Sequence, residues 1–209
     1  MISPVLEKPI VYVVDDNDSF RRAVTRLLEV AGYEVRAYRS AGEFVLARRE
    51  DQRGCVLLDV QMPGPSGLDL QEALSKEEEP LPIIFLTAHG DVPMTVRAMK
   101  AGAVDFLTKP IKREELLGAV RTALARDLHV QTSREQRNEL RTRFKKLTPR
   151  ERAVFEQVVA GKLNKQIASD LGMAERTVKA HRAQVMTKMQ ASSLAELVRL
   201  ADRMENGQS

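Results

Sequence analysis

Cysteine is nearly absent: Cys55 stands alone in 209 residues, so no internal disulfide framework can form. The three histidines, His89, His129 and His181, lie far apart. No Cys/His cluster of the structural-zinc kind exists. No run of 18 apolar residues occurs, which excludes an apolar membrane-spanning helix. The first ten residues hold Glu7 and Lys8 and no long apolar stretch, so no signal peptide is expected. Internal repeats, low-complexity segments and a GxxxxGK[ST] phosphate loop are missing as well. These absences point to a soluble, cytoplasmic chain without a membrane partner. Its length allows one large domain or two small ones. Its apolar fraction of 43% is too high for a disordered chain.

The formal charge of +4 hides an asymmetry. Residues 1–125 carry 16 Lys/Arg against 19 Asp/Glu, and residues 126–209 carry 17 against 10. An acidic front and a basic back suggest two jobs, the back facing a polyanion such as nucleic acid.

The front alternates short apolar runs with amphipathic stretches. Strands are expected at Ile10–Val14, Tyr33–Tyr38, Cys55–Leu58, Ile83–Leu86 and Ala103–Leu107. Helices are expected from Phe20 to Ala31, at Ala41–Arg49, Leu68–Lys76 and Val92–Ala101, and from Arg113 onward. The order implies an α/β, doubly wound, five-stranded parallel sheet with helices on both faces. From Arg126 to Lys146 there is no Gly or Pro and charge is dense. This reads as a long, exposed linker helix anchored only by Leu124, Leu128, Leu140, Phe144 and Leu147. A partner-helix seam stays open, although the apolar spacing is sparse.

The last sixty residues form an all-α, four-helix pattern. Thr148-Pro149-Arg150-Glu151 is a capping box with proline at the first helical position. Asn164–Leu171, a glycine turn at Gly172 and a basic helix Arg176–Met189 make a helix-turn-helix. Ser193 caps a fourth helix whose apolar face is Leu194, Leu197, Val198 and Ala201. The expected divisions are therefore 1–125, 126–146 and 147–209.

Open α/β sheets bind ligands at the carboxyl ends of their strands. Asp15 and Asp16 follow the first strand, Asp59 the third, Thr87 the fourth and Lys109 the fifth. Three converging carboxylates need a cation, and a hard, water-keeping ion such as Mg²⁺ suits them. Each Asp alone could be a helix cap or a turn residue; their joint placement is harder to explain that way.

Four separated motifs carry a resemblance. Val14-Asp15-Asp16, Leu58-Asp59-Val60-Gln61-Met62-Pro63-Gly64, Leu86-Thr87-Ala88 and Lys109-Pro110 together resemble the flavodoxin-like receiver domain of two-component response regulators. Thr87-Ala88-His89-Gly90-Asp91-Val92-Pro93 is similar to the FixJ-type branch. The resemblance implies that Asp59 is the phosphoacceptor, a carboxylate nucleophile served by a sensor histidine kinase. Asp16, Asp59 and the Gln61 carbonyl would hold Mg²⁺ directly, and Asp15 through water. Lys109 and Thr87 would meet phosphoryl oxygens, and Pro110 would make a cis peptide that aims Lys109. Phe106 would be an aromatic switch, or else a plain strand-five core residue. Gln61 and His89 would tune phosphoryl lifetime. Phosphorylation would then bias a surface of helix four, strand five and helix five that pairs two receivers.

The back resembles the LuxR/NarL-type DNA-binding domain over roughly residues 146–206. The carrying motifs are Leu147-Thr148-Pro149-Arg150-Glu151, Asn164-Lys165-Gln166-Ile167-Ala168 and Thr177-Val178-Lys179-Ala180-His181-Arg182. The resemblance places Lys179, Ala180 and Ala183 at base edges. Lys165, Arg176, Thr177, Arg182 and Lys188 would position the DNA backbone. Ala174 stands where a Ser N-cap is common, and Gln184 where Asn is frequent, which leaves its contact open between groove and core.

The leading expectation is a phosphorylation-controlled transcription activator that binds promoter DNA as a homodimer and works with RNA polymerase. A phosphoester-turning enzyme lacks a second placed acid or base. An adaptor binding an acidic protein fits the basic helix-turn-helix less well.

Overall fold

The computed structural model describes residues 9–48, 53–77, 80–88 and 90–205. The chain divides into two compact units, residues 1–130 and 131–209.

The first unit is built on β1 (Ile10–Val14), β2 (Glu34–Tyr38), β3 (Gly54–Asp59), β4 (Ile83–Thr87) and β5 (Asp105–Thr108). All pair in parallel in the order β2-β1-β3-β4-β5. Between them run α1 (Asp18–Val30), α2 (Ala41–Ala47), α3 (Gly67–Leu74) and α4 (Val92–Lys100), and α5 (Arg113–Lys145) follows β5. The order is the doubly wound one whose direction reverses between β1 and β3.

The continuous apolar runs are explained by two-sided burial. Every residue of β1, β3 and β4 is buried. Alternate side chains feed two cores. Tyr12, Val14, Leu58 and Phe85 pack with Phe44, Leu70 and Leu74 on one face. Val11, Val13, Leu57 and Leu86 pack with Leu28, Leu116 and Val120 on the other. Tyr12 is fully buried in an aromatic cluster with Tyr38 and Phe44, and burial pushes its hydroxyl up to about 12.

Element ends differ from the sequence expectation where side chains or turns intervene. β5 starts at Asp105 rather than Ala103, because the Ala103 N–H closes the end of α4 on the Ala98 carbonyl at 3.1 Å. α2 stops at Ala47, and Arg48 turns its guanidinium onto Glu77 through two hydrogen bonds of 2.7 and 2.8 Å. Arg49 lies outside the described residues. α5 continues to Lys145, and within the first unit its Asp127 is buried and accepts the Gly54 N–H at 3.2 Å. The stretch read as an exposed linker thus holds buried positions, Asp127 and Leu140.

The second unit contains α6 (Pro149–Val159), α7 (Asn164–Leu171), α8 (Glu175–Met189) and α9 (Leu194–Glu205). Val154, Phe155, Ile167, Val178, Val185, Met189 and Leu197 form its core. The capping box at Thr148 is present: Glu151 N–H donates to Thr148 Oγ1 and Glu151 Oε2 accepts the Thr148 N–H. Gly172 takes φ 62°, the left-handed conformation that turns α7 toward α8. Leu194 is exposed rather than inward, since it opens the first turn of α9, and Leu200 packs against the core instead.

Candidate functional site

The pocket lies at the carboxyl edge of the sheet, where β1 and β3 diverge to opposite neighbours. Asp15, Asp16 and Asp59 each bring a carboxylate oxygen within 4.8 Å of the others. Asp15 is fully buried, Asp59 is 6% exposed and Asp16 is exposed. Lys109 Nζ donates to Asp15 Oδ2 at 2.6 Å and to Asp59 Oδ2 at 2.7 Å. Its ammonium also lies 4.3 Å from the centroid of the Phe20 ring.

The electrostatics follow from this packing. Burial raises the Asp15 carboxyl above its ordinary value, opposed by the Lys109 hydrogen bond and assisted by the nearby Asp59. Burial alone would lower Lys109, but its hydrogen bonds to Asp15 and Asp59 outweigh that and hold it above the usual lysine value. Three carboxyl groups face the one Lys109 ammonium. That all-oxygen donor set and its charge fit a hard divalent cation such as Mg²⁺.

Backbone geometry supports the pocket. Asn17 caps α1 and its N–H donates to Asp15 Oδ1 at 2.9 Å. Arg21 Nη1 donates to the Asp15 carbonyl at 2.7 Å. The Gln61 N–H donates to Asp59 Oδ1 at 3.2 Å. Thr87 ends β4 fully buried, and its carbonyl accepts the Lys109 N–H at 2.7 Å. The Lys109–Pro110 peptide is cis. Phe106 is partly buried on β5, its ring centroid 6.0 Å from that of Phe85. His89 lies outside the described residues.

Four supporting residues escaped the sequence reading. Asn17 and Arg21 carry local signals, a cap position and a basic residue one turn into α1. Gly67 and Gly90 carry none beyond being glycine. A Cβ on Gly67 would sit 2.3 Å from the Asp59 carbonyl oxygen. One on Gly90 would sit 2.9 Å from Phe106 Cε1 and 3.2 Å from Thr87 Cγ2. Such contacts are made across the fold and leave no trace in local sequence.

In the second unit, α7, the Gly172 turn and α8 form the helix-turn-helix. Val178, Val185 and Met189 face the core, and Arg176, Lys179, Ala180 and Ala183 are exposed on α8. Lys165 is exposed on α7, and Thr177 is half-buried. Two of the expected backbone-positioning cations have partners within the domain. Lys188 Nζ bridges both Glu151 oxygens at 2.9 and 2.7 Å, and Arg182 Nη1 donates to Asn164 Oδ1 at 3.0 Å. The Lys188 hydrogen bond, helped by the Thr148 N–H, holds the Glu151 carboxyl below its usual value. Ala174 begins α8 without a side-chain cap. No helix among the described residues is long and apolar enough to cross a membrane.

A parallel doubly wound sheet with an acidic pocket bridged by lysine, followed by a helix-turn-helix, defines a receiver-type switch joined to a DNA-reading module. Residues 11–121 match the response regulator receiver domain, and residues 145–201 match the bacterial regulatory proteins of the luxR family. Nodulation protein W of Bradyrhizobium diazoefficiens is 48% identical over 197 residues, covering 94% of this chain and 87% of that protein. Transcriptional regulatory protein FixJ of Azorhizobium caulinodans is 46% identical over 191 residues, covering 91% and 90%. The solved structure of response regulator StyR superposes with a TM-score of 0.83 at 47% identity, covering 94% of this chain and 99% of that one. The chain belongs to the two-component response regulators of the FixJ type, with a receiver and a LuxR-type DNA-binding domain. It is a transcription regulator, and its family implies a histidine kinase and DNA as partners. Receiver domains typically bind Mg²⁺ through an acidic pocket of this kind.

Proposed function

We propose that phosphoryl transfer to Asp59 switches this chain from a resting form to a DNA-binding homodimer that activates transcription. The carrying observation is the convergence of Asp15, Asp16 and Asp59 with the Lys109 ammonium between two of them. In this reading residues 1–125 are the phosphoacceptor module, 126–146 the linker and 147–209 the DNA-binding module. The protein acts in the cytoplasm beside RNA polymerase.

An Asp59 carboxylate oxygen attacks the phosphorus of a phosphohistidine on the kinase. The new O–P bond forms as the N–P bond breaks, and the imidazole leaves with the electron pair. Lys109 is already at Asp59 Oδ2 and pairs with a phosphoryl oxygen as a point charge. Thr87 gives its hydroxyl to another. Asp16, Asp59 and the Gln61 carbonyl would hold Mg²⁺, with Asp15 through water, and when bound the ion neutralises charge developing on the phosphoryl oxygens. The aspartyl phosphate carries about −1.5 to −2 charge in place of the carboxylate's single charge and adds phosphoryl acceptor oxygens, and Phe106 reports it by moving inward with Thr87. No second acid or base is assigned, so turnover of external phosphoesters is no part of this reading.

α4 supports the pairing step. Val92, Val96 and Met99 are exposed at helical spacing, an apolar stripe beside β5. A two-fold pair joined there is isologous. Its DNA half-sites would lie about 10–10.5 bp apart, or a multiple of that. On α8, Lys179, Ala180 and Ala183 meet base edges. Lys165, Arg176 and Thr177 hold the backbone, with Arg182 and Lys188 contributing from their positions in the domain.

Solution mass measured with and without beryllofluoride plus Mg²⁺ tests the switch, beryllofluoride standing in for the phosphoryl group on Asp59. Doubling of the mass is expected in the wild type and not in Asp59→Asn, which also incorporates no phosphate. Undiminished phosphate incorporation by Asp59→Asn would refute the assignment.

A further inference from the structure

We infer that Gln184 reads an adenine in the major groove and is a specificity-determining residue of this chain. The inference rests on the DNA-reading role of α8 proposed above and names a base contact that role leaves unassigned.

The exposure of α8 orders its side chains. Val178, Val185 and Met189 are buried and define the inner face. Arg176, Ala180, Ala183 and Thr187 are exposed and recur at steps of four, three and four, so they form the ridge opposite the core. In the middle of that ridge stand two alanines. Their methyls let the helix backbone come close to the floor of a groove about 12 Å wide.

Two long side chains flank the alanines. Lys179 borders Arg176 and Ala183 on one side; Gln184 borders Ala180 and Thr187 on the other. Gln184 is exposed, so it belongs to the groove side and not to the core. The two flanks differ in chemistry. A lysine only donates, and answers guanine O6/N7 or a phosphate. A glutamine holds an acceptor oxygen and a donor NH₂ on one planar amide. That pair matches the N6 donor and N7 acceptor that adenine shows in the major groove.

Hydrogen-bond commitments single Gln184 out. Of the amide side chains on α7 and α8, Asn164 accepts from Arg182 Nη1 at 3.0 Å and Gln166 accepts the Leu163 N–H at 2.8 Å. The Thr187 hydroxyl donates back to the Ala183 carbonyl at 3.1 Å. Gln184 has no hydrogen-bond partner among the described residues. Its whole bonding capacity is available to a base.

The test is selection of bound duplexes from a randomised pool by the full chain, by Gln184→Ala and by Gln184→Arg. The wild type should select one adenine in each half-site, over other bases by about 5- to 150-fold. Gln184→Ala should lose that preference while neighbouring positions stay selected. Gln184→Arg should exchange it for guanine, which shows that the variant is folded and reads the same position. The salt dependence of Gln184→Ala should match the wild type, because no phosphate contact is removed. An adenine preference that survives in Gln184→Ala overturns the inference, as does a uniform loss of affinity across all sequences. If the wild type itself enriches no sequence, the DNA-reading role of α8 fails first and the inference falls with it.

Discussion

Gly67 offers the sharpest structural test of how the pocket is held. It opens α3 and its N–H donates to the Val60 carbonyl at 3.0 Å, just beyond the phosphoacceptor strand. A Cβ there would lie 2.3 Å from the Asp59 carbonyl oxygen and 3.1 Å from Leu58 Cγ. Ordinary contact begins near 3.4 Å, so Gly67→Ala must drive α3 and the end of β3 apart by about 1 Å. The first obstacle is backbone, which cannot rotate away as a side chain can. Overpacking of this kind costs about 1–3 kcal/mol. It also displaces Asp59, and a misplacement of about 1 Å at a reacting group can cost roughly 100-fold in rate. Gly118→Ala is the matched control. That glycine lies inside α5, and an added Cβ would find only Arg121 Nη2, at 3.9 Å. There the exchange should stabilise by about 0.5–1 kcal/mol, because alanine loses less backbone entropy in a helix. Urea denaturation followed by circular dichroism measures both stabilities, and phosphate incorporation from a small phosphodonor measures the pocket. Gly67→Ala with wild-type stability and full incorporation would refute the account of how α3 supports Asp59.

Two further outcomes follow from the electrostatics. Glu151 has its carboxyl held below the usual value by Lys188 and the Thr148 N–H. Its stabilisation is complete above about pH 4.3, the unfolded value, and is lost as pH falls through the lower folded value. Acid unfolding of the second unit should therefore be less steep in Glu151→Gln, whose stability at neutral pH is also reduced; superimposable acid limbs would remove Lys188 from the account. For the first unit, Mg²⁺ at ten times its Kd should stabilise by about 1.4 kcal/mol by mass action, reversed by a chelator. The rise in thermal midpoint should shrink in Asp16→Asn, and an equal rise in both proteins would take Asp16 out of the cation site.

The strand cores were legible because burial on both faces writes an unbroken apolar run, as in Val11–Val14 and Val56–Leu58. The joint placement of Asp15, Asp16, Asp59 and Lys109 was legible because parallel sheets gather strand ends on one edge. The helix-turn-helix was legible through its glycine and its capping box. Element ends were less so. The β5 start depends on a hydrogen bond from Ala103 back to α4, and the α2 end on an ion pair with Glu77, 29 residues away. The supports of the pocket were least legible. Gly67 and Gly90 matter through close approaches between segments distant in sequence, and Phe20 through the Lys109 ammonium that comes to lie over its ring.

The basic helix shows that composition does not tell which cations the fold itself engages. Its lysines and arginines look equivalent in the sequence, and all were expected at the DNA. Folding divides them. Lys188 bridges a buried carboxylate at the start of α6, so moving it to a phosphate would leave Glu151 without its cation in a desolvated position. Arg182 spans from α8 to Asn164 and braces the two helices of the motif. Among the described residues Lys179 pairs only with Glu175 at 3.7 Å, an exposed pair of little strength, and stays available. A neutral residue, Gln184, offers both a donor and an acceptor, which neither committed cation can. Affinity for a polyanion can follow net charge. Choice of sequence has to come from exposed groups that stay available, and on α8 Lys179 and Gln184 are two of these, on opposite flanks of two alanines.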